Sequence, residues 1–516
     1  MDRLWRSGPV CGLHPVPDAR GLSGSGAVRH ASRCSRGAPG LGAGSRRRHR
    51  PARKWAGAMR GWTGLLMVAA ALTVSGCMAG PDYVRPITPE PEQFSRSLEQ
   101  DADDLAGEAW WSGFEDPTLA AVVNEALADN LDIAQATQRL IAAEALLGAA
   151  RSDFLPDLDA GVSYTARSSG GDTGTASLSF GQVLDINGRL RRLEDRAQAR
   201  VLASAYEVED VRRLTAASAA TLYVQLRRAR ARLALLDASL DLQQRTLDIV
   251  QRRAEAGLSA DLDVRRAAAD LARTRAQRGA LELQQTRALN ALAVLLGRTP
   301  GAPIALLEDA GARDSDALQL GYVAEIEIGE PARLIQRRPD LRAAEARLIA
   351  ATADVGVQAA ELYPSLRLPG SVSTDLEDGL SDGLTASLGA VLDIPLLDFG
   401  RREAELTAAE AQAAEAALAY QNVVLGALEE VETGLVAIES VQDRLDDLGV
   451  AVAEGERAYD QLNALYREGL ASFIDVLDAQ RTLIGNREAL VDTQADLALA
   501  VIELNLALAA PTGQGG

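Results

Sequence analysis

Beyond Cys77 the chain has no histidine, no lysine and no further cysteine. The three histidines (His14, His30 and His49), Lys54, Cys11 and Cys34 all lie before residue 59. Without imidazole there is neither the commonest general base nor the commonest metal ligand. Without lysine there is no P-loop cation and no Schiff-base amine. One cysteine forbids an intrachain disulfide. Only carboxylates, hydroxyls and arginines remain, a poor set for an enzyme. Basic charge is scarce too. Residues 1–60 hold 13 of the 53 basic residues and 2 of the 72 acidic ones, which leaves 40 against 70 and a net charge of −30. So acidic a body is a poor partner for nucleic acid, and its charge serves solubility.

What is present divides by position. Residues 1–58 are rich in Arg, Gly, Pro and Ala without an apolar period. They read as upstream sequence joined by a misplaced start, with a disordered basic arm as the alternative. Met59-Arg60 then opens an export signal, residues 59–76. Its apolar run, Gly64 to Gly76, has 13 residues, which fits a signal h-region and is too short to span a bilayer as a helix. The run ends Leu72-Thr73-Val74-Ser75-Gly76-Cys77. Small residues before a lone cysteine resemble a bacterial lipobox, whose cysteine is lipidated and becomes the first mature residue; the plain alternative is a chance cysteine after an ordinary signal peptide. Met78-Ala79 lack the aspartate that retains many lipoproteins in the inner membrane. The expectation is an outer-membrane anchor through lipid on Cys77, with no other cofactor and no metal. Pro81, Pro86, Pro89 and Pro91 make residues 77–117 an extended leader.

From residue 118 the chain repeats itself. Asp132, Arg139 to Ala143, Pro156 and Leu158 recur as Asp340, Arg347 to Ala351, Pro364 and Leu366, an offset of 208. Gly188-Arg189, Gly257-Leu258 and Asp263-Val264 recur as Gly400-Arg401, Gly469-Leu470 and Asp475-Val476, an offset of 212. The halves are residues 118–309 and 331–510, joined by a 310–330 linker and closed by a 511–516 tail. A unit of about 200 residues is too long for a solenoid repeat.

Gly188 to Ala256 has no proline and is dominated by Ala, Leu, Arg, Glu and Gln, which favour helix. At ~1.5 Å per residue it spans roughly 100 Å. Leu222, Leu226, Ala229, Leu233, Leu236, Leu240, Gln243, Leu247, Val250 and Ala254 alternate spacings of four and three, and Val441, Leu445, Leu448, Val452, Gly455, Tyr459, Leu462 and Tyr466 do the same. That period is coiled-coil packing. Shorter helices are expected at Thr118–Arg151 and Asp261–Leu296, laid end to end along the long one, and the second half repeats this plan with Pro331–Leu362, the long Arg401–Arg467 and Phe473–Ala509.

Between short and long helix each half carries a period-two pattern. Leu158, Ala160, Val162 and Tyr164 alternate with polar residues, a Ser169–Asp172 turn follows, and Ala176, Leu178 and Phe180 alternate in turn. This predicts a β-hairpin at about 157–186, with a second at about 365–396. Two soluble hairpins on a core are one reading. If the apolar face met lipid the sheet would have to close, and four strands cannot close alone, so several chains would be needed. The fold class is mainly α with a small β part: two repeated halves of long coiled-coil helices plus β-hairpins.

Several stretches carry a resemblance. They are Cys77-Met-Ala-Gly-Pro-Asp-Tyr-Val-Arg-Pro86, Trp110-Trp111 with Phe114-Glu-Asp-Pro117, Leu184-Asp-Ile-Asn-Gly-Arg189, Arg337-Arg-Pro-Asp-Leu-Arg-Ala-Ala-Glu345, and Gly469-Leu470 with Phe473-Ile-Asp-Val-Leu-Asp-Ala479. Together they resemble the TolC-like outer-membrane efflux ducts, in the lipoprotein branch that includes OprM and NodT. The resemblance implies a homotrimer whose twelve strands form one transmembrane β-barrel above a hollow α-helical barrel. Residues around 301–330 and the C-terminus would form an equatorial belt. Such a duct takes small molecules from an inner-membrane pump, of the RND type, through a periplasmic adaptor, and catalyses nothing. The alternative is a periplasmic coiled-coil adaptor lipoprotein, which should show one helical hairpin and a larger β domain. A carboxylate-dependent enzyme would need a pocket that the sequence does not reveal.

Each half turns round at Gly-Leu, Gly257-Leu258 and Gly469-Leu470, where glycine suits the left-handed cap of a helix. In the resembling family these tips face the adaptor and the gate. Asp475 and Asp478 match the two constriction aspartates of the Asp-Val-Leu-Asp motif, and Tyr466 is retained. A spacing of three puts both aspartates on one helix face, so a trimer would hold two carboxylate rings selecting cations. The plain alternative is that they favour a helix N-terminus. The family's arginine four residues before the first aspartate is here Ala471.

Overall fold

The computed structural model describes residues 78–87, 91, 93–95, 109–168, 171–307, 321–322, 326, 331–376 and 383–512. They lie in one compact unit, Ala69–Gly516. Residues 1–58, the 59–76 signal, Cys77, most of 310–330 and 513–516 lie outside the described residues.

A short 3-10 helix, Trp110–Phe114, precedes α1 (Pro117–Asp129) and α2 (Leu131–Ser152). The hairpin β1 (Asp157–Thr165) and β2 (Thr173–Leu184) leads to the long helix α3 (Arg189–Glu255), then α4 (Asp261–Ala276) and α5 (Arg278–Leu295). The second half repeats this order with α6 (Pro331–Arg337), α7 (Pro339–Ala360), β3 (Ser365–Asp375), β4 (Thr385–Leu388), β5 (Val391–Asp393), the long helix α8 (Arg401–Glu468) and α9 (Phe473–Ala507).

The long helices have 67 and 68 residues, roughly 100 Å each. Helix α3 packs against α2, α4 and α5 of its own half and against α7 and α9 of the other, while α8 packs against α7 and α9. The α3 heptad is buried at Leu226, Ala229, Leu236, Gln243, Leu247 and Val250, whereas in α8 only Tyr459 and Tyr466 of that seam are buried. A second copy of the heptad thus keeps its register with less cover from its own chain.

Three expected helices are interrupted. The one at 118–151 breaks at Asn130, which is extended (φ −66°, ψ 130°) and caps α2 by accepting from the amides of Asp132 (2.8 Å) and Ile133 (3.1 Å). The one at 331–362 breaks at Arg338, because the residue before a proline is pushed out of helical angles. The one at 261–296 is interrupted at Gln277, which keeps helical angles beside Gly279. The remaining ends shift by a residue or two.

The strands make one antiparallel sheet in the order β1-β2-β3-β4, with β5 also pairing β3. The two halves therefore meet through β2 and β3. The expected last strand is split into β4 and β5 at Gly389 and Ala390, opposite Pro369, which has no amide to give.

Candidate functional site

The sheet has two chemically different faces. One row across it reads Ala160, Leu178, Val372, Ala386, and the next Leu158, Phe180, Gly370, Leu388. The opposite face reads Gly161, Ser177, Ser373, Thr385, then Asp159, Ser179, Ser371, Ser387. Alternation puts apolar and polar residues on opposite sides. Among the described residues, Leu158, Val162, Tyr164 and Leu388 on the apolar face and Asp159, Ser177, Ser179 and Ser387 on the polar face are exposed. An apolar face turned to solvent and a serine-rich face opposite suit a strand with lipid on one side and a watery lumen on the other. Edges β1 and β4–β5 have no further partner among the described residues. No described helix is long and apolar enough to cross a membrane.

The leader beside Cys77 is tied to the start of α3 and to α7. The Ala79 amide donates to the Asn187 carbonyl (3.1 Å), and Arg192 donates to the Ala79 carbonyl (3.2 Å) and to Asp82 (2.8 Å). Tyr83 (2.8 Å) and Arg85 (2.6 Å) both donate to Glu345. Burial pulls the Glu345 carboxyl up, but the Arg85 and Tyr83 bonds outweigh it and hold the group below the ordinary glutamate range. A Cβ on Gly80 would lie 2.5 Å from the Gly356 Cα, so the leader lies directly on α7.

The Arg-Arg-Pro-Asp motif has a structural task. Arg338, almost wholly buried, grips Asp340 through two nitrogens (2.6 and 3.0 Å), Glu430 (2.6 Å) and the Ala507 carbonyl (3.1 Å). Arg213 donates to Asp210 (2.6 Å) and to the Leu506 carbonyl. Two guanidiniums thus satisfy carbonyls at the end of α9, where cations suit the helix dipole. Burial would raise Asp340, but Arg338 and Arg213 hold it below the usual aspartate range. Above them Trp110, Trp111 and Phe114 are buried, Phe114 meets Tyr322 edge-on at 5.0 Å, and the Trp110 amide donates to the Pro511 carbonyl (3.1 Å). The leader thus touches the linker at Tyr322 and the C-terminal segment at Pro511.

At the far ends of the long helices Gly257 (φ +71°) and Gly469 (φ +80°) take left-handed angles. The amides of Leu258 and Leu470 reach back to the carbonyls of Arg253 (2.8 Å) and Leu465 (2.9 Å), and both leucine side chains stay exposed. Tyr466 is buried. It packs on Phe473 (5.8 Å between centroids), its hydroxyl lies 3.1 Å from Ser259 Oγ, and Arg253 stands over its ring at 4.7 Å. Arg253 also donates to the Arg467 carbonyl (3.0 Å). A tyrosine of the second tip is thus held by two residues of the first. The motif matching pointed to Tyr466 but not to Arg253 or Ser259, since a pairing across helices 213 and 207 residues apart leaves no local pattern.

Asp475 and Asp478 are both exposed, a turn apart at the start of α9. Asp475 completes a capping box: it accepts from Ser472 Oγ (2.6 Å) and amide (3.2 Å) while Ser472 Oγ accepts its amide (3.4 Å). The plain helix-end role therefore holds for Asp475. The Asp478 carboxylate makes no hydrogen bond or ion pair with a described residue. In the first half the equivalent positions are Asp263 and Arg266, which pair with each other at 3.6 Å. One tip neutralises itself and the other presents two acids.

A two-faced sheet with open edges, above coiled-coil hairpins that end in capped tips, defines an outer-membrane channel protein. The chain belongs to the outer membrane efflux protein family, whose model matches residues 122–298 and again 331–510, once for each half. Nodulation protein T of Rhizobium leguminosarum bv. trifolii is 32% identical over 452 residues, covering 85% of this chain and 95% of that protein. Cation efflux system protein CusC of Escherichia coli K12 is 29% identical over 442 residues, covering 83% and 95%. The solved outer-membrane channel OprN superposes with a TM-score of 0.76 at 29% identity, over 85% of this chain and all of that one. The protein is an outer-membrane efflux channel of the TolC-like fold; the adaptor alternative falls away, because the family model matches both halves and the described residues hold two helical hairpins and a single five-stranded sheet.

Proposed function

We propose that three copies of this chain close into one duct, anchored by lipid on Cys77, that carries small molecules outward without reacting with them. The observation that supports it best is the sheet: four antiparallel strand positions, an exposed apolar face and two edges without a partner among the described residues. An open edge cannot persist in hydrocarbon, so closure has to come from other copies. The leader that follows Cys77 is fastened to α3 and α7, which suits a chain start held at the membrane surface. The tips built around Gly257, Leu258, Gly469 and Leu470 would meet a periplasmic adaptor coupled to an inner-membrane pump of the RND type. Tyr466, Asp475 and Asp478 would form the periplasmic gate. Cargo would be chosen by the pump.

Outer-membrane fractions should yield a heat-modifiable trimer that conducts in planar bilayers; a monomer under gentle extraction would end the trimer reading. Metabolic labelling with palmitate should disappear in Cys77→Ala, and persistent labelling would end the lipid reading.

A further inference from the structure

Near the tip a cleft of ≈ 520 Å³ opens between α3 and the end of α8, lined by Arg245, Asp248, Ile249, Arg252, Arg253 and Arg467. Four arginines around one cleft reverse the charge of a body that carries −30 beyond residue 60. Among the described residues only one of them has a carboxylate partner: Arg245 pairs with Asp241 one turn away, in solvent. Arg252 gives its Nε to the Asp248 carbonyl (3.1 Å). Arg253 is committed to the Arg467 carbonyl and the Tyr466 ring, and its Nε is buried without a hydrogen-bond partner. The Arg467 guanidinium makes no hydrogen bond or ion pair with a described residue. The one acid in the lining, Asp248, accepts from Gln244 (2.9 Å).

We propose that this cleft receives carboxylates from a partner helix, the acidic side chains of the adaptor hairpin that meets this end of the duct. The proposal rests on the reading of the tips as the docking end. Gathered like charges repel, and their arrangement is favourable only when a counter-charge arrives from outside. Arginine suits this, since its planar fork binds carboxylates bidentately. The spacing is helical: Arg245, Ile249 and Arg252 recur at i, i+4 and i+7 along one face of α3, over about 10 Å. A helix laid alongside with carboxylates at the same interval would meet both arginines and cover Ile249 between them. The α3 arginines have no counterpart in the second half: at the 212-residue offset Arg252 and Arg253 become Ala464 and Leu465.

The test uses the full-length channel in detergent and two capped, alanine-rich helical peptides, one with glutamate at i, i+4 and i+7 and one with glutamine there. Fluorescence anisotropy should show binding of the glutamate peptide alone. Affinity should fall about ten-fold or more in Arg252→Gln with Arg467→Gln, and fall further as salt rises from about 50 to about 300 mM. Equal binding of both peptides, or wild-type affinity in the double variant, overturns the proposal. So does inorganic phosphate that binds as tightly as the peptide, which would make this a small-anion site. Loss of the trimer in the double variant without peptide binding to wild type would instead assign the cleft to a neighbouring copy. Bilayer conductance keeps the two readings apart: the double variant should conduct like wild type, whereas a wild-type protein that forms no channel would count against the duct itself.

Discussion

The guanidinium of Arg253, from the first half of the chain, stands 4.7 Å from the centre of the Tyr466 ring in the second. Ala471 occupies the position where the resembling motif carries an arginine, and Ala471 packs into the apolar core of the tip. The turn before α9 thus carries no cation at that position, and the one that stands beside Tyr466 comes from α3. A partly desolvated cation–π contact contributes about 0.5–2 kcal/mol. Arg253→Gln should therefore loosen the hold on Tyr466 and raise mean single-channel conductance in planar bilayers. Conductance equal to wild type would reduce Arg253 to a packing residue.

The two tip aspartates should separate experimentally. Asp475 serves the capping box, so Asp475→Ala should cost about 0.5–2 kcal/mol and lower the melting temperature as well as weakening block by multivalent cations. Asp478 has no such bond, so Asp478→Asn should weaken block with the melting temperature unchanged. Block that survives both substitutions removes the aspartates from the gate.

Leu178 and Ser179 test the two faces of the sheet. Leu178 lies in the apolar row with Ala160, Val372 and Ala386, and Ser179 in the polar row with Asp159, Ser371 and Ser387. Leu178→Arg should cost about 2–4 kcal/mol in lipid and cut the yield of assembled trimer. Ser179→Arg should assemble normally and change conductance instead. The reverse outcome would mean that the faces are turned the other way.

The Arg338 network predicts acid lability with a definite sign. Asp340 is held below its ordinary value of 3.8, so its contribution is complete above that pH and is lost as pH falls below it. Asp340→Asn should therefore lower the melting temperature at neutral pH and flatten its decline in acid. Arg338→Leu leaves Asp340 and Glu430 without their shared cation and should cost about 3–5 kcal/mol. An Asp340→Asn protein whose acid profile matches wild type would place the pH dependence elsewhere.

Local chemistry made much of this legible from residues alone. The turning glycines, the long proline-free helices and the alternating strands depend on neighbours in sequence, and helix and strand periods are intrinsic to the backbone. Asn130 breaks its helix within an otherwise continuous apolar pattern, and part of what holds it there is distant in sequence: its side-chain amide donates to the Leu295 carbonyl (2.9 Å). Pro369 was not recognised as a break because its effect falls on the strand opposite.

The sequence by itself determined the duplicated plan, the two long helices, the two chemically distinct strand faces and the absence of histidine and lysine beyond Cys77. Only the tertiary structure decided which groups meet across the halves: Arg253 with Tyr466, Arg338 with Glu430, β2 with β3. It also separated Asp475, tied into a cap, from Asp478, left free. The physical reason is one of range. Backbone periodicity is written within a few residues, whereas a buried guanidinium or an unpaired sheet edge finds its partner only after packing brings distant segments within a few ångströms.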